Sequence, residues 1–231
     1  MTNAPPPDVF GAAAPLHLFR LVSLSLPVGG FSYSRGLEAA VHAGWVSDEA
    51  TARNWILGTL QSNVASLDGA LFWRMANALE EGALERFVAT DAWLAAARES
   101  RELQAEDRRL GEALLRLLID LDVPRACEAQ GRVRTYPAAF AIAANHWQVA
   151  SRQSLTGLLW AYVEAQVMAA TRLVPLGQTS SQRIMIAAVE PLELAATHAR
   201  TISDEDIGAT AQALAIASAW HETQYSRLFQ S

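Results

Sequence analysis

The chain has 231 residues, of which 51% are hydrophobic and 18% charged, enough to fill one large core or two small ones. Its net charge of −6 argues against a general binder of nucleic-acid backbones, which needs concentrated positive charge. All 18 basic residues are arginine. Codon bias accounts for that on its own, but the absence of lysine still excludes a Walker-type phosphate loop and a lysine Schiff base.

The single cysteine, Cys127, allows no internal disulfide and points to a reducing compartment. No secretory leader pattern opens the sequence. No run of about 18 uninterrupted apolar residues suggests a membrane span.

In chain order, residues 1–10 contain Pro5-Pro6-Pro7 and little to bury, and read as a mobile tail. Leu16, Phe19, Leu21 and Leu24 outline a first helix from Gly11 to Ser25. Then comes Leu26-Pro27-Val28-Gly29-Gly30-Phe31-Ser32-Tyr33-Ser34-Arg35-Gly36-Leu37-Glu38, with the only Gly-Gly pair in the chain. Pro27 fixes its own φ and disfavours helix at Leu26. Gly29 and Gly30 permit positive φ or close backbone approach, and Ser32 or Ser34 can cap a helix running to Gly44. Read alone, this is a tight turn between helices.

Ser47-Asp48-Glu49 is a helix start, a capping hydroxyl followed by acids, and that helix is expected to end near Ser66. Leu67 to Glu80 and Leu84 to Ala97 give two more. Over Arg101–Leu121, Leu103, Leu110, Leu114, Leu117, Leu118 and Leu121 form a stripe at helical spacing. Glu106, Asp107, Arg108 and Arg109 read as a solvated face. Pro124 and Gly131 break the pattern, and Tyr136-Pro137 opens an Ala-rich helix to about Ala150. Ser154 to Val174 is apolar around much of its circumference and reads as a central helix. It stops at Pro175-Leu176-Gly177. Two shorter helices, Gln178–Val189 and Pro191–Arg200, are expected, then a last one capped by Ser203-Asp204-Glu205-Asp206 and running towards Tyr225. No period-2 strand or internal repeat is visible. The expected fold is all-α, a single helical-bundle domain of about ten helices over residues 11–231.

Catalytic chemistry is hard to find. His17, His42, His146, His198 and His221 include no i, i+4 pair and no HExxH, so neither a metal site nor catalytic residues can be named. His221-Glu222 is the best pair for a transient metal contact, and adjacent helical residues do not face the same way. The carboxylates fall in helix first turns or beside Arg. This is the pattern of a binding protein. Trp147, Trp160 and Tyr162 read first as an aromatic core stripe and only second as the lining of a small-ligand site. The last residues, 221–231, carry Tyr225, Arg227, Leu228 and Phe229. Either they dock on a partner, as Tyr and Arg do at interface hot spots, or they fold back and bury Leu228 and Phe229.

LPVGGFSYSRGLE, RLVPLGQTSSQR and LAIASAWHETQYSRLFQS, with Glu102-Leu103, Glu106-Asp107-Arg108 and Tyr136-Pro137 between them, resemble the urease accessory protein F family (UreF) over nearly the whole chain from Leu16. The resemblance implies a cytoplasmic, dimeric, non-enzymatic chaperone of urease maturation. It would bridge UreD (also called UreH) and the GTPase UreG and deliver nickel to the urease apoprotein. No cofactor of its own is implied: nickel passes through, and GTP belongs to UreG. Neither nucleic acid nor membrane is an expected partner. Glu38 and Arg172, with the Pro175-Leu176-Gly177-Gln178 turn, become candidates for the UreG-facing surface. His221, Tyr225, Arg227 and Phe229 become candidates for the tail that docks on UreD. Pro27, Gly29 and Gly30 would shape the loop. An alternative role is GTPase activation of UreG, with Arg35 or Arg172 supplied in trans. Two positions depart from the family pattern: Trp220 stands where Arg usually precedes His-Glu, and Gln230 where Arg commonly precedes the final Ser.

Overall fold

The computed structural model describes residues 9–208 and 211–231. The expected tail, 1–10, lies outside them except for Val9 and Phe10, which already belong to the first helix. Among the described residues every regular element is helical, as the periodicity predicts.

Helix α1 (Val9–Val22) lays Leu18 and Val22 against Gly157, where an added Cβ would stand 2.5 Å from Leu18 Cδ1. Leu21 is buried, while Leu16 and Phe19 project into solvent. The signature turn follows. Gly29 takes φ 79° and starts a short 3-10 turn, Gly30–Ser32. Gly30 needs neither positive φ nor close approach, so of the two only Gly29 requires its residue type. The left-handed positions continue at Arg35 (φ 51°) and Gly36 (φ 79°). They delay α2 to Leu37–His42, where the Glu38 amide donates to Ser34 Oγ at 3.3 Å.

The cap of α3 (Glu49–Thr59) is Asp48 rather than Ser47. Its carboxylate accepts from Thr51 N at 2.8 Å, and Thr51 Oγ1 accepts from Asp48 N at 3.0 Å. The expected break near Ser66 is absent. A π-helical segment, Leu60–Gly69, runs straight into α4 (Ala70–Glu80). Its wider turns slip the phase of the apolar positions, and a slipped phase reads in sequence as an ending.

Helices α5 (Leu84–Ala96) and α6 (Arg101–Asp120) lie where the stripes place them. A short α7 (Pro124–Glu128) occupies the Pro-Gly interval. Thr135 caps α8 (Tyr136–His146). The predicted central helix is α9 (Ser151–Leu173), which touches α1, α2, α3, α4, α8 and α10. The two expected helices after it are one, α10 (Gln178–Thr201), with Pro191 inside. Proline forfeits one backbone bond at a cost of about 3 kcal/mol. Both halves bury a single face made of Ile184, Ala188, Leu192, Ala195 and Ala199, which holds them in line. The acidic run forms only a 3-10 turn, Asp204–Asp206, and α11 begins later, at Gln212–His221.

Candidate partner interface

The signature loop and the chain's last residues are built onto each other. Glu38 is buried, and its carboxylate accepts from Leu228 N at 2.7 Å and Phe229 N at 2.8 Å. His221, fully buried at the end of α11, lies between two acids, 3.2 Å from Glu38 and 2.6 Å from Glu102. Arg227 donates to the other Glu102 oxygen at 2.6 Å. Gln230 N donates to Ser32 O at 2.8 Å, and Ser34 N donates to Ser231 O at 2.9 Å. Arg172 holds its guanidinium 4.7 Å above the Phe229 ring and donates to Phe31 O at 3.4 Å.

Five predicted partner-binding residues, Glu38, Arg172, His221, Arg227 and Phe229, therefore gather in one clasp. Glu38 is a correction to the expected partner-facing surface, because its carboxylate is spent on the chain's own backbone. The tail folds back as one of its two readings anticipates, but only in part. Phe229 is buried, Leu228 is exposed and Tyr225 is fully exposed. Pro175, Gly177 and Gln178 lie exposed on the turn between α9 and α10, just past Arg172.

Beneath the clasp lies a layer of buried charge. Arg98, in the α5–α6 connection, binds both oxygens of Asp68 (2.9 and 2.7 Å) and donates to Asp107 at 2.8 Å. Asp107 also accepts from Tyr136 N at 2.8 Å. Arg35 stands 3.6 Å from Glu106 and 3.9 Å from Asp68. Ser231 Oγ donates to Glu106 at 2.5 Å. Burial pushes the Asp68 carboxyl up, but Arg98 and Arg35 outweigh it and hold it below the ordinary range. Glu106 has weaker partners, and burial leaves its carboxyl raised. Asp91, buried beneath Thr135 and Arg134 N (2.6 and 2.7 Å), is pushed up to about 6 by burial.

Glu106 and Asp107 are thus a second correction. They are interior residues, and only their neighbours Arg108 and Arg109 are exposed. Sequence carried a signal for this: 106 and 107 fall between Leu103 and Leu110, on the apolar stripe itself. Asp68 likewise interrupts a run that buries Val64, Ala65, Leu67 and Leu71. Nothing local marks Arg98 or Asp91.

Between the loop and α9 is a cavity of about 120 Å³. Its wall includes Leu24 and Phe31, which reach the surface, and Arg35, Asp68, Glu106 and Gln166 at the inner end. Gln166 Nε2 donates to Ser34 O at 3.0 Å, while its Oε1 is buried without a partner, as is Arg35 Nε.

The remaining candidates pack. Trp147 is stacked by His17 at 5.3 Å and covered by Arg20 at 4.0 Å, Trp160 is half-buried, and Tyr162 is buried beside the cavity. Glu222 does not join His221. It accepts from Arg101 N at 2.9 Å. Among the described residues no group of three or more His, Cys, Asp or Glu is arranged to hold a metal ion. No described helix is long and apolar enough to cross a membrane. Trp220 packs against Trp45, with ring centroids 5.1 Å apart and the ring planes tilted by 47°, and half its surface stays open.

The chain's likeness to known proteins extends over most of its length. The family model UreF matches residues 46–189. Urease accessory protein UreF 2 of Brucella anthropi is 57% identical over 217 residues, covering 94% of this chain and 96% of that protein. Urease accessory protein UreF of Alkalilimnicola ehrlichii is 40% identical over 215 residues, 93% of this chain and 94% of that one. The protein of the same name from Teredinibacter turnerae is 40% identical over 216 residues, 94% and 98% of the two.

Proposed function

The chain belongs to the UreF family of urease accessory proteins, and from that premise we propose that it acts in urease maturation as a cytoplasmic, dimeric scaffold, bridging UreD and UreG so that nickel reaches the urease apoprotein. It contributes surface and geometry and no bond-making residue. Nickel is its cargo, and GTP is bound by UreG. The observation that carries this reading is the clasped tail. Backbone bonds to Glu38 and the buried Phe229 fix its course, while Tyr225, Leu228 and Trp220 face outward. An anchored segment presenting aromatic and aliphatic side chains has the composition of an interface hot spot and carries little ordering cost on binding.

The test is co-expression with UreD and UreG followed by size-exclusion chromatography with light scattering. The expected result is a co-eluting assembly whose mass fits two copies of each protein. Tyr225→Ala with Leu228→Ala is expected to release UreD and abolish urease activation while the helical content stays unchanged. A monomer eluting alone, or full activation by the double variant, overturns the proposal.

A second reading, stimulation of GTP hydrolysis by UreG, rests on Arg172 alone. Arg35 is drawn inward by Asp68 and Glu106, whereas Arg172 lies exposed at the edge of the clasp. Single-turnover hydrolysis by UreG with the wild type and with Arg172→Ala decides it. No acceleration by the wild type removes it.

A further inference from the structure

We propose that the cavity between the signature loop and α9 is a binding site for a small neutral molecule, a primary carboxamide on a short aliphatic body. Leu24, Val28, Phe31 and Leu158 belong to an apolar wall, and Leu24 and Phe31 reach the surface, which gives a ligand a way in. The volume, about 120 Å³, is somewhat below that of an engineered cavity that holds benzene, and admits a body of about six heavy atoms.

The inner end specifies the head through three buried atoms without a hydrogen-bond partner: Arg35 Nε, Gln166 Oε1 and Tyr162 Oη. Gln166 is 1% exposed and Tyr162 8%, and the two stand one turn apart on α9. Arg35 Nε only donates, and Glu106 Oε1, at 3.6 Å, is too far to accept from it. Gln166 Nε2 donates to Ser34 O at 3.0 Å. A carbonyl oxygen only accepts, so the amide cannot be turned round, and Oε1 is left as an acceptor. Burial raises the Tyr162 hydroxyl above its ordinary range, so it keeps its proton and can donate. Two donors and one acceptor are thus left for one ligand. A primary carboxamide answers all three: its oxygen has two lone pairs, for Arg35 and Tyr162, and its nitrogen carries the N–H for Gln166. Other heads leave a group unmet. An ammonium has no acceptor and sets a positive charge beside Arg35. A carboxylate has no donor for Gln166 and meets Asp68, Glu106 and Asp107 with only one guanidinium in the wall. A ketone accepts but does not donate. A hydroxyl must draw all three partners to a single atom, whereas an amide divides them between two. Polar groups left unsatisfied in the interior are costly, so the missing bond is what selects.

Water is a poor filling for the space. At about 30 Å³ each, about four waters would occupy it, and each needs two to four polar partners. The three orphaned groups lie at the inner end, and most of the remaining wall is apolar. This inference goes beyond the bridging role and is tested on the free chain, so it stands or falls apart from the scaffold reading.

The probes are isobutyramide, isobutanol, methyl isopropyl ketone, isobutyrate and isobutylammonium, which share a branched body and differ in the head. Each is titrated into the full chain and followed by methyl NMR shifts of Val28, Val64 and Leu158. The expected result is saturable binding of isobutyramide, about tenfold or more tighter than any of the other four. In Gln166→Leu the advantage of the amide over the ketone is expected to shrink about threefold or more while the ketone still binds. Ala161→Leu enlarges a side chain of the wall and is expected to abolish the shifts with helical content unchanged. No advantage of the amide over the alcohol or the ketone, tighter binding of either ion, shifts that persist in Ala161→Leu, or no binding with only water in the cavity each overturns the proposal. If Gln166→Leu does not fold, the probe series on the wild type and on Ala161→Leu still decides.

Discussion

Helix α8 is buried along eight successive residues, Pro137–Ala144, without a charge among them, whereas α6, packed on it, carries Glu106 and Asp107 into the same interior. The two helices fill space by different rules. In α8 each residue needs only the right volume, because apolar contact is non-directional and alanine lets neighbouring backbones approach. In α6 each buried acid needs particular donors at particular distances, and these come from outside the helix: Arg98 from the connection before it, Arg35 from the signature loop, Ser231 from the tail. Volume is a local property, while charge compensation ties remote segments together. Polar burial of this kind is a weak source of stability when complete and a severe liability when broken.

That contrast can be broken most sharply at Arg98. Arg98→Met keeps the volume but strands Asp68 and Asp107, and a loss of about 3–5 kcal/mol is expected from urea unfolding. Asp91 tests the same side of the comparison through pH. Its carboxyl is pushed up to about 6 from an ordinary 3.8, so between those values the folded chain holds a proton that the unfolded chain has lost. Stability should therefore fall as pH rises from about 4 to 6, by about 3 kcal/mol from this group. Asp91→Asn should flatten that part of the profile, and an unchanged slope would disprove the assignment.

Glu38→Gln leaves the shape of the clasp but weakens its hold on Leu228 N and Phe229 N. A cost of about 1–3 kcal/mol is expected, read as faster amide exchange at those two residues with the α9 core unaffected. On the apolar side, Ile142→Val removes one methylene from α8 and should cost only about 0.5–1.5 kcal/mol, with no pH dependence. If it costs as much as Arg98→Met, the contrast between the two helices fails. Tyr225→Ala should alter stability by less than about 0.5 kcal/mol, so any effect on assembly belongs to binding.

The same division governs what can be read from the sequence. Helices α5, α6 and α9 sit within a few residues of the positions their stripes predict, because periodic burial is written locally. The signature loop is legible as a turn, and the family resemblance singles it out. Its work as a clasp is not legible, because Glu38 and Leu228 meet across 190 residues of chain. Pro191 suggests an ending that the shared buried face of α10 overrides. Glu106 and Asp107 are acids on an apolar stripe. Composition reads them as a solvated cluster, and only the placement of Arg98 and Arg35 shows why they are inside.

The π-helical segment Leu60–Gly69 bears on how this chain tolerates change. It works as a phase adjuster: α3, holding Ala52 and Ile56 in the core, and α4, holding Leu71, Phe72 and Met75 there, are one continuous rod whose halves are rotated relative to each other by the widened turns between them. Asp68 meets Arg98 because of that rotation. Removing one residue anywhere in the segment would rewind it towards an α-helix and turn one locked half against the other, whereas exchanging one side chain for another leaves the rotation intact. What the core holds constant there is the number of residues, more strictly than their identity.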